Sequence, residues 1–199
     1  YNIANHLAAA GLCLAAGFDL DTVAAGLSSL KTIPGRLEKV GGDEFSVLVD
    51  FAHTDDALHN VLTTLKPLSK GRLIVVFGCG GDRDKTKRPR MAKVAQHLAD
   101  VAIVTSDNPR TEDPNAIIAD IVAGFDPAEG RRATSDERQA TVTVEPDRKK
   151  AIELAIAQAR PNDIVLIAGK GHETYQIIGA EKIHFSDQEV ARECLKGRR

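Results

Sequence analysis

The side chains best placed to do chemistry are a run of four, Asp107-Asn108-Pro109-Arg110, and a carboxylate much further along, Glu173. Arg110 offers a planar fork of donors that matches a carboxylate. Asn108 brings both a donor and an acceptor, and Pro109 fixes φ and stiffens the turn that carries them. Glu173 has the charge to hold an ammonium. Arginine, amide and carboxylate on one rim are what the zwitterion of an amino acid requires. Each of these groups also has a bland reading. Glu173 could simply pair with Lys170 or Arg110, the glycine-rich stretch Gly78–Gly81 could be a tight connection, and His53 could be a satisfied structural histidine. His59 and His97 read as structural or exposed. The basic run Arg83, Lys85, Lys87, Arg88, Arg90 and Lys93 reads as the solvated start of a helix, and only Arg83, inside the loop itself, escapes that discount.

These residues act together only if the fold gathers them. Ile3, Leu7, Ala10 and Leu14 share one helical face over residues 3–16, and a second helix spans 20–30 with Asp19 or Asp21 near its N-cap. Lys31-Thr32-Ile33-Pro34-Gly35 is then a breaker cluster and a domain junction. Beyond it the pattern alternates. Strands are expected at Phe45–Asp50, Leu73–Phe77, Val101–Thr105 and Asp163–Ala168, with a short one at Thr141–Val144. Between them, helical spacing recurs at Leu58, Val61, Leu62 and Leu65, at Met91, Val94, Ala95 and Leu98, and at Ile152, Ala155, Ile156 and Ala159. Asp113-Pro114 opens a further helix carrying Ile118, Ile121, Val122 and Phe125. Residues 175–185 read as a strand pair turning at Gly179, 187–195 as a last helix, and 126–140 as a loop with a short helix.

Continuous apolar strands alternating with helices of 10–15 residues predict an α/β fold: a Rossmann-like, mostly parallel sheet with helices on both faces, preceded by a short helical segment. In such sheets ligands bind beyond the carboxyl ends of the strands. The four strongest strands run into Phe51-Ala52-His53-Thr54, Gly78-Cys79-Gly80-Gly81-Asp82-Arg83-Asp84, Ser106-Asp107-Asn108-Pro109-Arg110 and Gly169-Lys170-Gly171-His172-Glu173. All four loops are polar or glycine-rich and share one edge of the sheet, and this convergence is the main functional signal.

Composition narrows the classes. The chain has 199 residues, 43% hydrophobic and 27% charged, which suits a globular protein with a full core. A formal charge of −2 argues against a nucleic-acid partner. No apolar run reaches the ~18 residues of a membrane helix, and no signal peptide is visible, so no membrane partner is expected. The three cysteines, Cys13, Cys79 and Cys194, lack ligand spacing, so no metal site is expected and a reducing, cytoplasmic compartment is the default. A phosphate-binding GxxxxGK[ST] loop is missing, since Ile164 stands where the first glycine before Gly169-Lys170 would be. The turn Gly78–Gly81 also falls short of a full GxGxxG, which weakens a dinucleotide reading.

Taken together, several segments resemble the Mur ligase family of bacterial cell-wall synthesis. They are Tyr1–Ala9, Pro34-Gly35-Arg36-Leu37-Glu38, Asp50–Leu58, Phe77–Arg90, Asp107–Glu112 and Gly169–Glu173. The intact Asp-Asn-Pro-Arg resembles the branch that adds meso-2,6-diaminopimelate rather than lysine. The departures are mild: Tyr1 stands where the family often has Phe, and Phe51 and Asp55 stand where it has Tyr and Pro. The resemblance implies that residues 1–33 are the helical tail of a central ATP-binding domain and residues 34–199 a C-terminal domain that brings the incoming amino acid. The N-terminal and central domains would then lie upstream, with the phosphate-binding loop and the Mg2+ ligands. It implies an ATP-dependent ligase that phosphorylates the γ-carboxylate of UDP-MurNAc-L-Ala-D-Glu and joins it to the diaminopimelate amine. This piece alone would be inactive, with no catalytic residue of its own. Under the same resemblance Arg83, Asp107, Asn108, Pro109, Arg110, Gly169 and Glu173 would bind diaminopimelate. Arg110 and Asn108 would take its distal carboxylate and ammonium, Glu173 and the Gly169 carbonyl the same ammonium, and Arg83 the remaining carboxylate. Asn2, Asn5, Arg36, Asp50 and His53 would bind the nucleotide. Other readings are a lysine-adding or folylpolyglutamate-type ligase, or a non-catalytic module that binds an amino acid or nucleotide.

Overall fold

The computed structural model describes residues 2–30, 32–126 and 140–198, with Asn2 described by its backbone alone. The loop and short helix expected over 126–140 lie, apart from their two end residues, outside the described residues. The chain divides into two compact units, Tyr1–Ile33 and Pro34–Arg199. The first holds α1 (Asn2–Ala15) and α2 (Leu20–Ser29). Asp19 is the N-cap of α2, its carboxylate accepting the Thr22 N–H at 2.8 Å. The apolar stripe expected on α1 is real but uncovered: Ile3, Leu7 and Leu14 are exposed, as are Phe18, Leu20 and Leu30 nearby.

The second unit is a six-stranded sheet in the order β1-β2-β6-β3-β4-β5. Its strands are β1 (Glu38–Gly41), β2 (Ser46–Asp50), β3 (Leu73–Phe77), β4 (Val101–Val104), β5 (Thr141–Val144) and β6 (Ile164–Ala168). All neighbours are parallel except β1, which pairs antiparallel with β2 at one edge. β1 was not anticipated. Its sequence, Glu-Lys-Val-Gly, has one large apolar residue and no alternation, and only its pairing with β2 makes it a strand.

Period-2 geometry sorts each strand's side chains between two cores. Leu73, Val75 and Phe77 face one way with Ala102, Val104 and Leu166, against α3 (Asp55–Leu65), α4 (Lys87–Leu98) and α5 (Pro114–Val122). Ile74 and Val76 face the other way with Ile103, Val165 and Ile167, against α6 (Arg148–Gln158) and α7 (Asp187–Lys196). The strands β3 and β6 are buried along their whole length, which explains their unbroken apolar runs. Since β6 leads toward α7 on one face while β2 and β3 lead to helices on the other, the crevice at the end of β6 is the topological switch point. A small antiparallel pair, β7 (Tyr175–Ile178) and β8 (Glu181–His184), stands over that end.

The basic run is the main correction to the sequence reading. Arg83, Lys85, Arg90 and Lys93 are exposed, but Lys87 and Arg88 are buried. Arg88 donates to Asp120 at 2.8 Å and to Glu112 at 2.9 Å, while Lys87 donates to the His53 carbonyl. Both lie on the face of α4 that also buries Met91, Ala92 and Ala95. Their acidic partners are 24 and 32 positions away, where no local pattern shows them.

A second buried cation ties the two ends of the sheet's second layer together. Arg148, the first residue of α6, donates to both oxygens of Asp187 at 2.8 Å, and neither side chain is exposed. The same guanidinium donates to the Ala168 carbonyl at the end of β6 and reaches the Ser106 carbonyl just past β4. Burial works against its charge, but the carboxylates of Asp187, Asp107 and Glu173 outweigh it and hold its pKa above the ordinary value. Replacing Asp187 with Asn should strand this charge and cost about 3–5 kcal/mol, whereas an Arg148→Met/Asp187→Leu double variant should recover most of the loss. Urea unfolding midpoints of the three proteins check this.

Candidate functional site

The four loops converge as the topology requires. Gly81 N–H donates to the Asn108 carbonyl at 2.9 Å, and Arg110 Nη1 donates to the Gly81 carbonyl at 2.8 Å. Asp82 accepts from the hydroxyl and N–H of Thr111, and the Asp82 N–H donates to Glu112. The approach is close enough that a β-carbon at Gly81 would run into the Pro109 carbonyl. The loops after β3 and β4 are therefore one laced piece.

Strand β7 holds the other side of the same turn. Arg110 N–H donates to the Ile177 carbonyl at 3.1 Å, and Gly179 N–H donates to the Arg110 carbonyl at 2.7 Å. Gln176, buried, donates to the Asp107 carbonyl at 2.7 Å. Between these clamps Arg110 takes φ +53°, in the left-handed region that arginine rarely occupies.

The loop after β6 completes the rim. Asn108 Nδ2 donates to Glu173 Oε2 at 3.0 Å. Asn108 Oδ1 accepts from Lys170 Nζ at 3.0 Å and from the Ile177 N–H at 2.9 Å. A backbone N–H can only donate, so it fixes which end of the amide is oxygen. Both acceptor positions of Oδ1 are thus used, and the group Asn108 still offers is an N–H. This refines the expectation for Asn108: it can meet a carboxylate, not an ammonium. Glu173 is paired with Lys170 at 3.3 Å, as the bland reading allowed, but only through Oε2; Oε1 has no partner among the described residues. Arg110 and Glu173 therefore stand on the same rim, one contact either side of Asn108.

The remaining candidates fall into place around this triad. Asp107 is buried, its carboxylate accepts no hydrogen bond among the described residues, and a β-carbon on Gly169 would stand 2.7 Å from its Oδ2. Gly169 avoids this and takes φ +119°. Pro109 is buried in the laced turn. Arg83 is exposed and touches only the Asp82 carbonyl.

Of the residues expected at a nucleotide, three cluster at the end of β2. The Arg36 guanidinium lies 5.1 Å from the centre of the Phe51 ring, and that ring packs edge-on to His53 at 4.6 Å. Both Arg36 and His53 are exposed, so His53 is not a core histidine. Arg36 has no ion pair among the described residues, which suits a phosphate. Asp50 is different: buried, it accepts the N–H of Leu37 and of Ala52, so its duty is to pin the turn that presents Arg36. Burial pushes its carboxyl above the ordinary value against the pull of those N–H groups and of Arg36. Asn5 is exposed on α1, and the side chain of Asn2 lies outside the described residues. Among the described residues no group of three or more His, Cys, Asp or Glu could hold a metal ion, and no helix is long and apolar enough to cross a membrane.

Comparison with known proteins gives the chain a family. The family model described as "Mur ligase, glutamate ligase domain" matches residues 35–171. The chain belongs to the Mur ligase family. It is 52% identical over 201 residues to the UDP-N-acetylmuramoyl-L-alanyl-D-glutamate–2,6-diaminopimelate ligase of Gloeobacter violaceus. A ligase of the same name from Geobacillus kaustophilus is 52% identical over 199 residues. In both cases 100% of this chain is covered but only 39% of the relative. A solved structure of a ligase of that name superposes with a TM-score of 0.74 at 43% identity, over 99% of this chain and 38% of the other.

Some residues that shape this rim were not singled out from the sequence. Gln176 and Arg148 carried no signal, because their partners are distant backbone carbonyls and Asp187. Glu112 is the knot of the lacing: Arg88, the Asp82 N–H and Lys85 hold its carboxyl down to about 2. The contribution of this carboxylate to stability is therefore complete above pH ~4.5 and disappears as pH falls through about 2. A Glu112→Gln variant should unfold at lower urea than the parent at pH 7, with the gap closing between pH 4.5 and 2. Burial also pushes the Cys79 thiol up to about 12, with its sulfur 3.6 Å from Met91 Sδ. With a thiol reagent at pH 8, exposed Cys13 should react at once and Cys79 only after denaturation, as counted by absorbance with and without urea.

Proposed function

We propose that this chain is the C-terminal part of an ATP-dependent ligase that adds meso-2,6-diaminopimelate to UDP-MurNAc-L-Ala-D-Glu in peptidoglycan synthesis. The observation that carries the reading is the Arg110–Asn108–Glu173 rim. Arg110 and the free Asn108 N–H present donors for the distal carboxylate. Glu173 Oε1 presents an acceptor for the ammonium beside it. The names of the closely similar relatives support the same substrate. Arg83 would meet the remaining carboxylate, and Asp107 and the Gly169 carbonyl would complete the ammonium pocket. Lysine lacks the distal carboxylate, so binding it would leave Arg110 and the Asn108 N–H desolvated without an acceptor, a mismatch that costs on the order of 10⁴-fold in the best cases.

In this reading residues 34–199 position the amine, and residues 1–33 are the helical tail of a central ATP-binding domain. The exposed apolar side chains of α1 and α2 support the second part, since several exposed large apolar side chains suit a helix pair that packs against more protein. ATP would supply the phosphoryl group that activates the γ-carboxylate of the acceptor. Arg36 fits an anionic phosphate, and Phe51 and His53 offer ring faces and edges beside it. In this reading the Mg2+ would be held by the remainder of the enzyme, and the chain alone would not turn over. The ligase would work in the cytoplasm.

In the full-length ligase carrying this chain, Arg110→Ala should raise the KM for diaminopimelate by roughly 10- to 200-fold, the loss of a charged hydrogen-bond pair. The KM for ATP should stay within about twofold. Steady-state kinetics with each substrate varied in turn measures both, and equal loss for the two would refute the assignment.

A further inference from the structure

The loop after β6 carries a cation that the amino-acid reading leaves without a task. The Lys170 side chain is wholly buried at the switch point, and a buried ammonium is stable only when its donors are met. It donates to Asn108 Oδ1 at 3.0 Å and to Glu173 Oε2 at 3.3 Å, and stands 5.6 Å from the centre of the Tyr175 ring. The two side chains that it touches are the two that flank the ligand position on the rim.

We propose that Lys170 is a positioning residue for the amino-acid site, acting through Glu173 and Asn108 and not through the ligand. By holding Oε2 inward it leaves Oε1 as the oxygen that faces a ligand ammonium, and it offsets part of the Glu173 charge. By filling the second acceptor position of Asn108, whose orientation the Ile177 N–H already fixes, it leaves that amide with only a donor for the ligand carboxylate. The subsite therefore favours an ammonium that arrives with a carboxylate beside it over a bare cation. Methionine would fill nearly the same volume, so what the lysine adds is its charge and its donors.

This inference rests on the amino-acid reading of the rim, and a double-mutant cycle separates the two. In the full-length ligase, the KM for diaminopimelate and for ATP, and kcat, would be measured for Lys170→Met, Glu173→Gln and the double variant, with thermal midpoints alongside. Both single variants should raise the KM for diaminopimelate by roughly tenfold or more, with the KM for ATP and kcat at saturating amino acid within about threefold. The double variant should raise the KM by clearly less than the product of the two single effects, because the part of the Lys170 role that runs through Glu173 is then gone. A Glu173→Gln variant with an unchanged KM would overturn the reading of the rim and this inference with it. A raised KM in Glu173→Gln, with Lys170→Met silent or its effect multiplying in the double variant, would overturn the role of Lys170 alone. If Lys170→Met does not fold, the double variant decides: folded with a KM within about tenfold of Glu173→Gln supports the role, and unfolded or worse overturns it in favour of a duty to the core.

Discussion

The buried pair between Arg148 and Asp187 is the constraint from which the functional edge of the sheet is organised. A guanidinium with no access to water must satisfy its donors within the protein. It does so with one carboxylate from the start of α7 and with two carbonyls, one just beyond β4 and one at the end of β6. Those carbonyls belong to the two strands whose loops carry Asn108 and Glu173. The ion pair therefore fixes the base on which the rim stands, and its positive field reaches the carboxylates of Asp107 and Glu173.

Above that base, neutral and charged contacts divide the work. Backbone bonds from Gly81 on one side and from β7 on the other hold residues 108–110. Charged side chains, Arg88 with Glu112 and Lys170 with Glu173, then lock the neighbouring loops to that turn. Almost every polar group on the rim has a partner inside the protein. The few left open are an N–H of Asn108, the outer oxygen of Glu173, the carboxylate of Asp107 and the unengaged donors of Arg110. A rim with so little freedom is pre-organised, the condition under which a short set of groups can select among ligands.

Much of this was legible in the residues. The unbroken apolar runs at 73–77 and 164–168 mark two central strands, and the rule for carboxyl ends puts Arg110, Asn108 and Glu173 on one side of the sheet from the sequence alone. The capping residues Asp19 and Asp113 stand where their types demand. Most of what was missed shares one cause. Lys87, Arg88 and Arg148 are cations inside the fold, and a charge in a sequence reads as surface until its partner is known. Those partners, the His53 carbonyl, Glu112, Asp120 and Asp187, lie between 24 and 39 positions away. The edge strand β1 was missed for a related reason: its identity lies in the neighbour it pairs with and not in its own four residues.

The backbone of Arg110 carries a last implication. A left-handed turn is disfavoured for a residue with a β-carbon, by on the order of 1 kcal/mol, and glycine or asparagine would adopt it more readily. At φ +53° the chain has accepted the less comfortable residue at this corner. Turn geometry alone would never select an arginine there. Its presence marks a preference exerted by the head of the side chain, which reaches the Gly81 carbonyl, against the wishes of the main chain.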